Sequence, residues 1–314
     1  MDSKCSSGSV LISGTHSGRC SGVSEWRWRA FKIVQSLVER LPRTWAYALA
    51  VMAARVAWWF SPLARPRLEY NLKVACPELT TSGLKELSRL NFRNHAKAYA
   101  DLMMLPSMKV EAMRPLLHLE AKDLEYLEQA RAVGKGVMVV SCHMGSYEVV
   151  SAIWSATLAP VSLFAEELEP RALFEWYRDT RARLGISVLP LHLGGLRKVT
   201  QALHDQEMVV TAIDRDITGT GQMMPFFGRP APIPLGPAAI AVRLGTPLLP
   251  VCVFRLADDT YSAEAAAPVI AQSTGDARVD EVRVTQQLLR HIEGFIRRHP
   301  DQWHVPHRMW EGSP

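Results

Sequence analysis

The residues best suited to chemistry are His143 and Glu148, in the run Ser141-Cys142-His143-Met144-Gly145-Ser146-Tyr147-Glu148. The run follows the apolar stretch Val137–Val140, which has the makeup of a buried strand. A chain that leaves such a strand and turns into a helix sets polar groups at the sheet's carboxyl edge, where open α/β folds bind ligands. Gly145 permits the tight turn. Five residues apart in one regular helix, two side chains diverge by about 140°. A His143–Glu148 pair therefore requires His143 to precede the helix and Glu148 to sit in its first turns. Histidine titrates near neutral pH and suits removal of a proton from a hydroxyl that attacks a thioester. A carboxylate on the other ring nitrogen fixes the tautomer and stabilises the imidazolium. A satisfied structural histidine gives the same spacing. Cys142 is read as a buried, inert thiol, because adjacent residues leaving a strand point to opposite sides. Ser146 lacks the Gly-x-Ser-x-Gly setting of a nucleophile elbow. His-x4-Glu is not the His-Glu-x-x-His of zinc hydrolases.

A second cluster is Asp214-Arg215-Asp216, followed by Gly219, Gly221 and Pro225-Phe226-Phe227-Gly228-Arg229-Pro230. Another apolar run ends here in charge. The triplet is either a solvated turn or a set that positions substrates: Arg215 and Arg229 match phosphate oxygens of a donor or acceptor, and Asp214 stands beside them. The Phe pair, with Met223 and Met224, lines an acyl channel or belongs to the core. A third cluster, residues 300–310, is rich in Trp, His and Arg. It reads equally as an interface or as a packed terminal strand or cap. Five scattered cysteines with no Cys-x-x-Cys pair indicate neither a zinc site nor a disulfide framework, and a reducing cytosol is the simplest home.

The elements that must position these residues are legible from periodicity. Candidate strands are Val137–Ser141, Val161–Ala165, Ile186–Leu191, Met208–Ile213, Leu248–Phe254 and Tyr261–Glu264. Helical stretches lie between them at Glu148–Thr157, Arg171–Leu184, Leu196–His204 and Pro237–Leu244, and a last helix runs from about Val279 to Arg298. This alternation predicts an α/β fold, a mixed sheet with helices on both faces. The 314 residues, 48% hydrophobic, can bury a large core. Residues 1–25, rich in Ser and Gly, read as a disordered tail without the apolar core of a signal peptide. Residues 26–132 read as a helical membrane-docking region and residues 133–314 as the catalytic α/β region.

A net charge of +5 fits an anionic membrane, a nucleic acid or an acidic cofactor. Residues 26–67 crowd Trp26, Trp28, Trp45, Trp58 and Trp59 among eight Arg and Lys, including Arg29, Arg40 and Arg55. Tryptophan prefers the headgroup level and arginine meets anionic lipid. Arg55 interrupts the apolar stretch Thr44–Phe60, so helices lying on the membrane are favoured over a span. The competing reading is a helix pair packed on the domain with its tryptophans as core. No nucleic-acid recognition motif occurs.

Together the three clusters resemble the lipid A biosynthesis acyltransferase family, which includes bacterial late lipid A acyltransferases and actinobacterial phosphatidylinositol mannoside acyltransferases. The resemblance covers roughly residues 26–312. His143 and Glu148 match the family's His-x4-Asp/Glu after a strand. Residues 214–251 look like its Asp-rich loop, Pro-Phe-Phe-Gly turn and following helix and strand. PDQWHVPHRMW is similar to its Pro-x-Gln-Trp … Arg-x-Trp ending. Ser146-Tyr147 stand where many members have Asn-Trp, and Asp214-Arg215 where many lipid A enzymes have Asp-Gln. The Asp-Arg-Asp loop and residues 165–191 look closer to the mannoside branch. The resemblance implies an O-acyltransferase with His143 as general base and Glu148 as its orienting partner. It implies acyl-CoA or acyl-carrier protein as donor, a glycolipid acceptor, no metal or other cofactor, and action at the inner face of the cytoplasmic membrane. The rival classes are an acyl thioesterase or lipase and a non-catalytic lipid-binding protein.

Overall fold

The order of strands in a sheet decides which loops can meet, and here that order is not the order of the chain. The structure, a computed structural model, describes residues 20–166, 169–191 and 193–310. Helices α1 (Cys20–Val38), α2 (Arg43–Phe60), α3 (Ala64–Ala75), α4 (Thr81–Met104) and the single turn α5 (Val110–Met113) precede the sheet. Next come β1 (Leu117–His118), α6 (Ala121–Arg131), β2 (Val137–Ser141), α7 (Tyr147–Thr157), β3 (Val161–Ala165), α8 (Arg171–Ala182), β4 (Ile186–Pro190), α9 (Leu193–His204) and β5 (Met208–Ala212). A two-stranded unit, β6 (Gln222–Phe226) with β7 (Arg229–Ile233), leads to α10 (Gly236–Leu244), β8 (Leu248–Arg255), β9 (Tyr261–Ala265) and α11 (Ala277–Arg298). Seven strands form one sheet in the order β1-β9-β8-β2-β5-β3-β4. It is mixed: β8 pairs antiparallel with β9, while β8, β2, β5, β3 and β4 run parallel.

The central strand β2 is apolar throughout because both faces of the sheet are covered. Val137 and Val139 face a core shared with Val149, Val150 and Ile153 of α7. Met138, Val140 and Cys142 face the other core, with Leu203 of α9 and Leu288 and Ile292 of α11. This is the period-two alternation of a pleated strand.

The unit of β6 and β7 was not expected from the sequence, where Pro225, Pro230 and Pro232 argue against strand. It tolerates them because two strands alone leave outward edges that need no donor. Phe227 and Gly228 turn the hairpin with φ of 50° and 74°, the positive pair a type I′ turn requires. The left-handed Phe227 is held by its ring, which packs with Phe226, Trp303 and Trp310. The Phe pair is therefore core.

At the N-terminal end, α1 starts at Cys20, inside the segment read as a tail; residues 1–19 lie outside the described residues. Helix α2 is two-faced. Ala46, Tyr47, Ala54 and Trp58 are buried, whereas Trp45, Leu49, Met52, Val56, Trp59 and Phe60 are exposed. Among the described residues no helix is long and apolar enough to cross a membrane. After α11 a short turn at Pro300–Gln302 leads into an extended segment, residues 303–310, that folds back across the end of β2.

Candidate active site

The register of β2 and β5 builds the centre of the site. Ser141 pairs with Ala212 in the parallel ladder, so the residues two positions further on, His143 and Asp214, emerge side by side at the carboxyl edge. His143 Nδ1 lies 2.8 Å from Asp214 Oδ1. Asp214 Oδ2 accepts the His143 backbone N–H at 3.0 Å and the Trp303 indole N–H at 2.9 Å. Asp214 is fully buried, and His143 keeps about a third of its side chain exposed (32%). The carboxylate on Nδ1 fixes the tautomer and leaves Nε2 as the acceptor.

The electrostatics of the pair follow from burial and proximity. Burial disfavours the imidazolium, but the Asp214 charge and its hydrogen bond outweigh that, and the His143 pKa is raised above its ordinary value. Burial pushes the Asp214 carboxyl up, yet His143 and three donated hydrogen bonds hold it below the usual carboxylate range. Neighbouring histidines differ in kind. His95 and His304 stack with ring centroids 4.2 Å apart. Burial, then the nearby imidazoles, pull His95 down to about 4 and His304 well below its ordinary value. Of His95, His143 and His304, only His143 has its pKa raised.

The loop from His143 to Ser146 is clamped on both sides. A side chain at Gly145, whose φ is +60°, would meet the Val253 carbonyl oxygen at 2.3 Å, so the close approach to β8 requires glycine. The Gly145 N–H donates to the Gln302 carbonyl at 3.1 Å, and the His304 N–H donates to the His143 carbonyl at 2.7 Å. Beneath the loop, Arg255 of β8 donates to Ser146 Oγ at 2.7 Å and to Tyr47 Oη at 2.8 Å, and pairs with Asp101 of α4. Gln302 bridges the Arg255 backbone through its N–H and carbonyl. The N-terminal helices, the sheet and the final segment thus meet under this loop.

Glu148 does not reach His143 in this arrangement. It lies in the first turn of α7 and faces α8, where Arg181 donates Nε to Oε2 at 3.0 Å and Nη2 to Oε1. Both partners are nearly buried. The orienting position assigned to Glu148 from sequence is held by Asp214. Asp214 in turn has no exposed surface with which to touch a substrate. Asp216 caps its own loop through Thr218, Gly219 and Gly221. Arg215 lines the cavity described below, 3.7 Å from Glu166. Arg229 lies on β7, donates to Tyr70 Oη at 2.9 Å and is absent from that cavity's lining. Cys142 is buried and its thiol is pushed well up by burial. Ser146 is buried under Arg255. Trp303 and Trp310 are buried too, so the terminal segment is a packed cap.

His143 stands at the rim of a cavity of about 970 Å³, with Glu166, Arg215 and Thr218 beside it. That volume is at the upper end of ordinary ligand pockets. Its depth is apolar along α7 and the strands, through Val150, Trp154, Leu163, Val139 and Val251. The site pairs a carboxylate-bound imidazole with a large, mostly apolar recess.

Sequence reasoning missed the pairing of His143 with Asp214 because 71 positions separate them. The available signal was that both stand just past an apolar strand. Only strand adjacency turns that likeness into contact.

A family model described as bacterial lipid A biosynthesis acyltransferase matches residues 19–311. A phosphatidylinositol mannoside acyltransferase of Mycobacterium tuberculosis (strain H37Rv) is 27% identical over 295 residues, covering 88% of this chain and 91% of that protein. The enzyme of the same name in Mycolicibacterium smegmatis is 27% identical over 230 residues, 72% of each. A lipid A biosynthesis palmitoleoyltransferase of Escherichia coli K12 is 25% identical over 246 residues, 78% of each.

Proposed function

The chain belongs to the bacterial lipid A biosynthesis acyltransferase family, and we propose that it moves a fatty acyl chain from acyl-CoA or acyl-carrier protein to a hydroxyl of a glycolipid. The acceptor is of the phosphatidylinositol mannoside or lipid A type. The observation that carries this reading is His143 tied to a buried carboxylate at the mouth of a large apolar cavity.

The acyl tail of the donor fills the cavity, where each buried methylene contributes ~0.8 kcal/mol. Its thioester carbonyl stops at the rim. The acceptor hydroxyl gives its proton to His143 Nε2 as its oxygen attacks that carbonyl. The C–S bond then breaks, the ester forms, and the imidazolium returns the proton to the departing thiolate. Asp214 holds the imidazole and stabilises its charged form. Arg215, at the rim, is suited to a phosphate of either substrate. Burial of Cys142 and Ser146 favours direct attack over a covalent acyl-enzyme.

The exposed apolar stripe of α2, with Trp26, Ile33 and Leu37 of α1 and Leu63 beyond, supports docking on the inner face of the cytoplasmic membrane. Arg29, Arg40 and Arg55 are exposed on the same helices or just beyond them, suited to anionic headgroups.

The test is transfer itself. Purified protein with an acyl-CoA and a glycolipid extract of its own membrane should give an acylated glycolipid by mass spectrometry. His143→Ala should cut the rate by ~10²–10⁴ while the fold persists. Thioester cleavage that no glycolipid accelerates would overturn transfer in favour of hydrolysis, and folded His143→Ala with near-normal transfer would overturn the base.

A further inference from the structure

Below the main cavity lies a second one of about 20 Å³, between the sheet and α6, lined by residues such as Leu124, Leu127, Met208 and Leu249. Three residues line both: Val139 of β2, Val251 of β8 and Trp154 of α7. They form the wall between the two spaces, and the indole is by far its largest part. Trp154 is nearly buried (9% exposed), and its indole N–H has no hydrogen-bond partner. Burying an unpaired donor is unfavourable. Packing alone would be served by an apolar side chain; what the indole adds is bulk at that spot.

Helix α7 also connects this wall to the chemistry. Tyr147, at its start, lines the cavity near His143; Val150 and Ser151 follow one turn down, and Trp154 one turn further. These positions share a face of one helix. From Tyr147 to Trp154 the helix rises about 10 Å. Wall and base are thus separated by the clamped loop and two turns of one helix.

We propose that Trp154 is the floor of the acyl recess and sets the longest chain the enzyme transfers. The inference rests on the acyltransferase reading above. Removing the indole would join the recess to the lower cavity and admit further methylenes. Bulk added one turn higher, at Val150, would shorten the recess.

The experiment measures kcat/KM for an even-numbered acyl-CoA series from decanoyl to icosanoyl, with native glycolipid extract as acceptor, for the wild type and for Trp154→Ala, Trp154→Phe and Val150→Phe. Thermal stabilisation by the same acyl-CoAs gives a second profile that needs no turnover. Relative to the wild-type optimum, the next longer chain, two methylenes longer, should gain tenfold or more in Trp154→Ala, since even one methylene is worth about that in an apolar pocket. Trp154→Phe should gain less, and Val150→Phe should shift towards shorter chains. The ratio between chain lengths is the readout, because a merely loosened core lowers all rates together. If Trp154→Ala fails to fold, the two phenylalanine variants decide. Unchanged profiles in the folded variants would overturn the proposal. A wild type that binds acyl-CoA but transfers nothing would sink the acyltransferase reading instead, while the binding profiles would still test the floor.

Discussion

The two nitrogens of His143 face different worlds, one a buried carboxylate and the other an open recess, and the pH behaviour should follow. A base must be unprotonated, so transfer should fall as pH drops through the His143 pKa. Burial lowers that pKa, Asp214 raises it, and the balance is a rise, so the acid limb should lie above 6.5, the ordinary value for histidine. Asp214→Asn removes the raising influence and leaves burial. Its acid limb should move to lower pH, and the rate should fall by ~10²–10⁴ as the tautomer is lost. Glu148→Gln should behave otherwise. It strands the Arg181 charge in a buried setting, at ~3–5 kcal/mol, and should lower the melting temperature along with activity. Pairing it with Arg181→Gln should recover part of the stability. A pH–rate profile of each variant beside its thermal melt separates the two carboxylates. A stable Glu148→Gln with a lost kcat would return Glu148 to the chemistry. From the sequence His143 was legible because one strand end announces itself. Its partner was not, because two acids, Glu148 and Asp214, were both available and chain distance favoured the nearer.

At the scale of elements, periodicity served well wherever burial was symmetrical about a strand or helix. Val137–Ser141 and Val161–Ala165 come out as read, and the other four strands within one residue. The hairpin of β6 and β7 escaped because its prolines forbid only an interior strand, and sequence does not say where an edge will be. The tryptophans of α2 divide for a geometric reason. Neighbours on a helix differ by about 100°, so Trp58 turns inward, its indole on Ser88 and its ring between Arg65 and Arg89, while Trp59 turns outward. The packed reading of this region holds for the inward face, while the outward face is left exposed. The outward face makes a prediction. Trp45→Ser with Trp59→Ser and Phe60→Ser should cut binding to anionic vesicles at least tenfold in a sedimentation assay and leave the melting temperature within a few degrees, since all three are exposed. High salt should release part of the wild type, because the arginine contribution is screened. Unaltered binding by the triple variant would show that another surface docks.

Across the whole molecule, the extended segment after α11 completes what β2 begins. Trp303 reaches Asp214, Gln302 holds Gly145, and His304 holds His143. Trp303→Phe keeps most of the packing and removes one donor from a buried carboxylate. A hydrogen bond to a charged group is worth about 1.5–3 kcal/mol, so the melt should fall accordingly and the rate with it, while Trp310→Phe, which has no such bond, should retain its rate. Equal losses in both would mean that ring packing alone matters. This closure also has a history in time. His143 is made about 160 residues before His304, and synthesis at roughly 5–20 residues per second puts some ten to thirty seconds between them. During that interval the imidazole lacks the His304 bond to its carbonyl, and its Asp214 partner lacks the Trp303 donor. On the proposed chemistry, a growing chain should therefore lack its complete centre until synthesis has reached the segment that locks it.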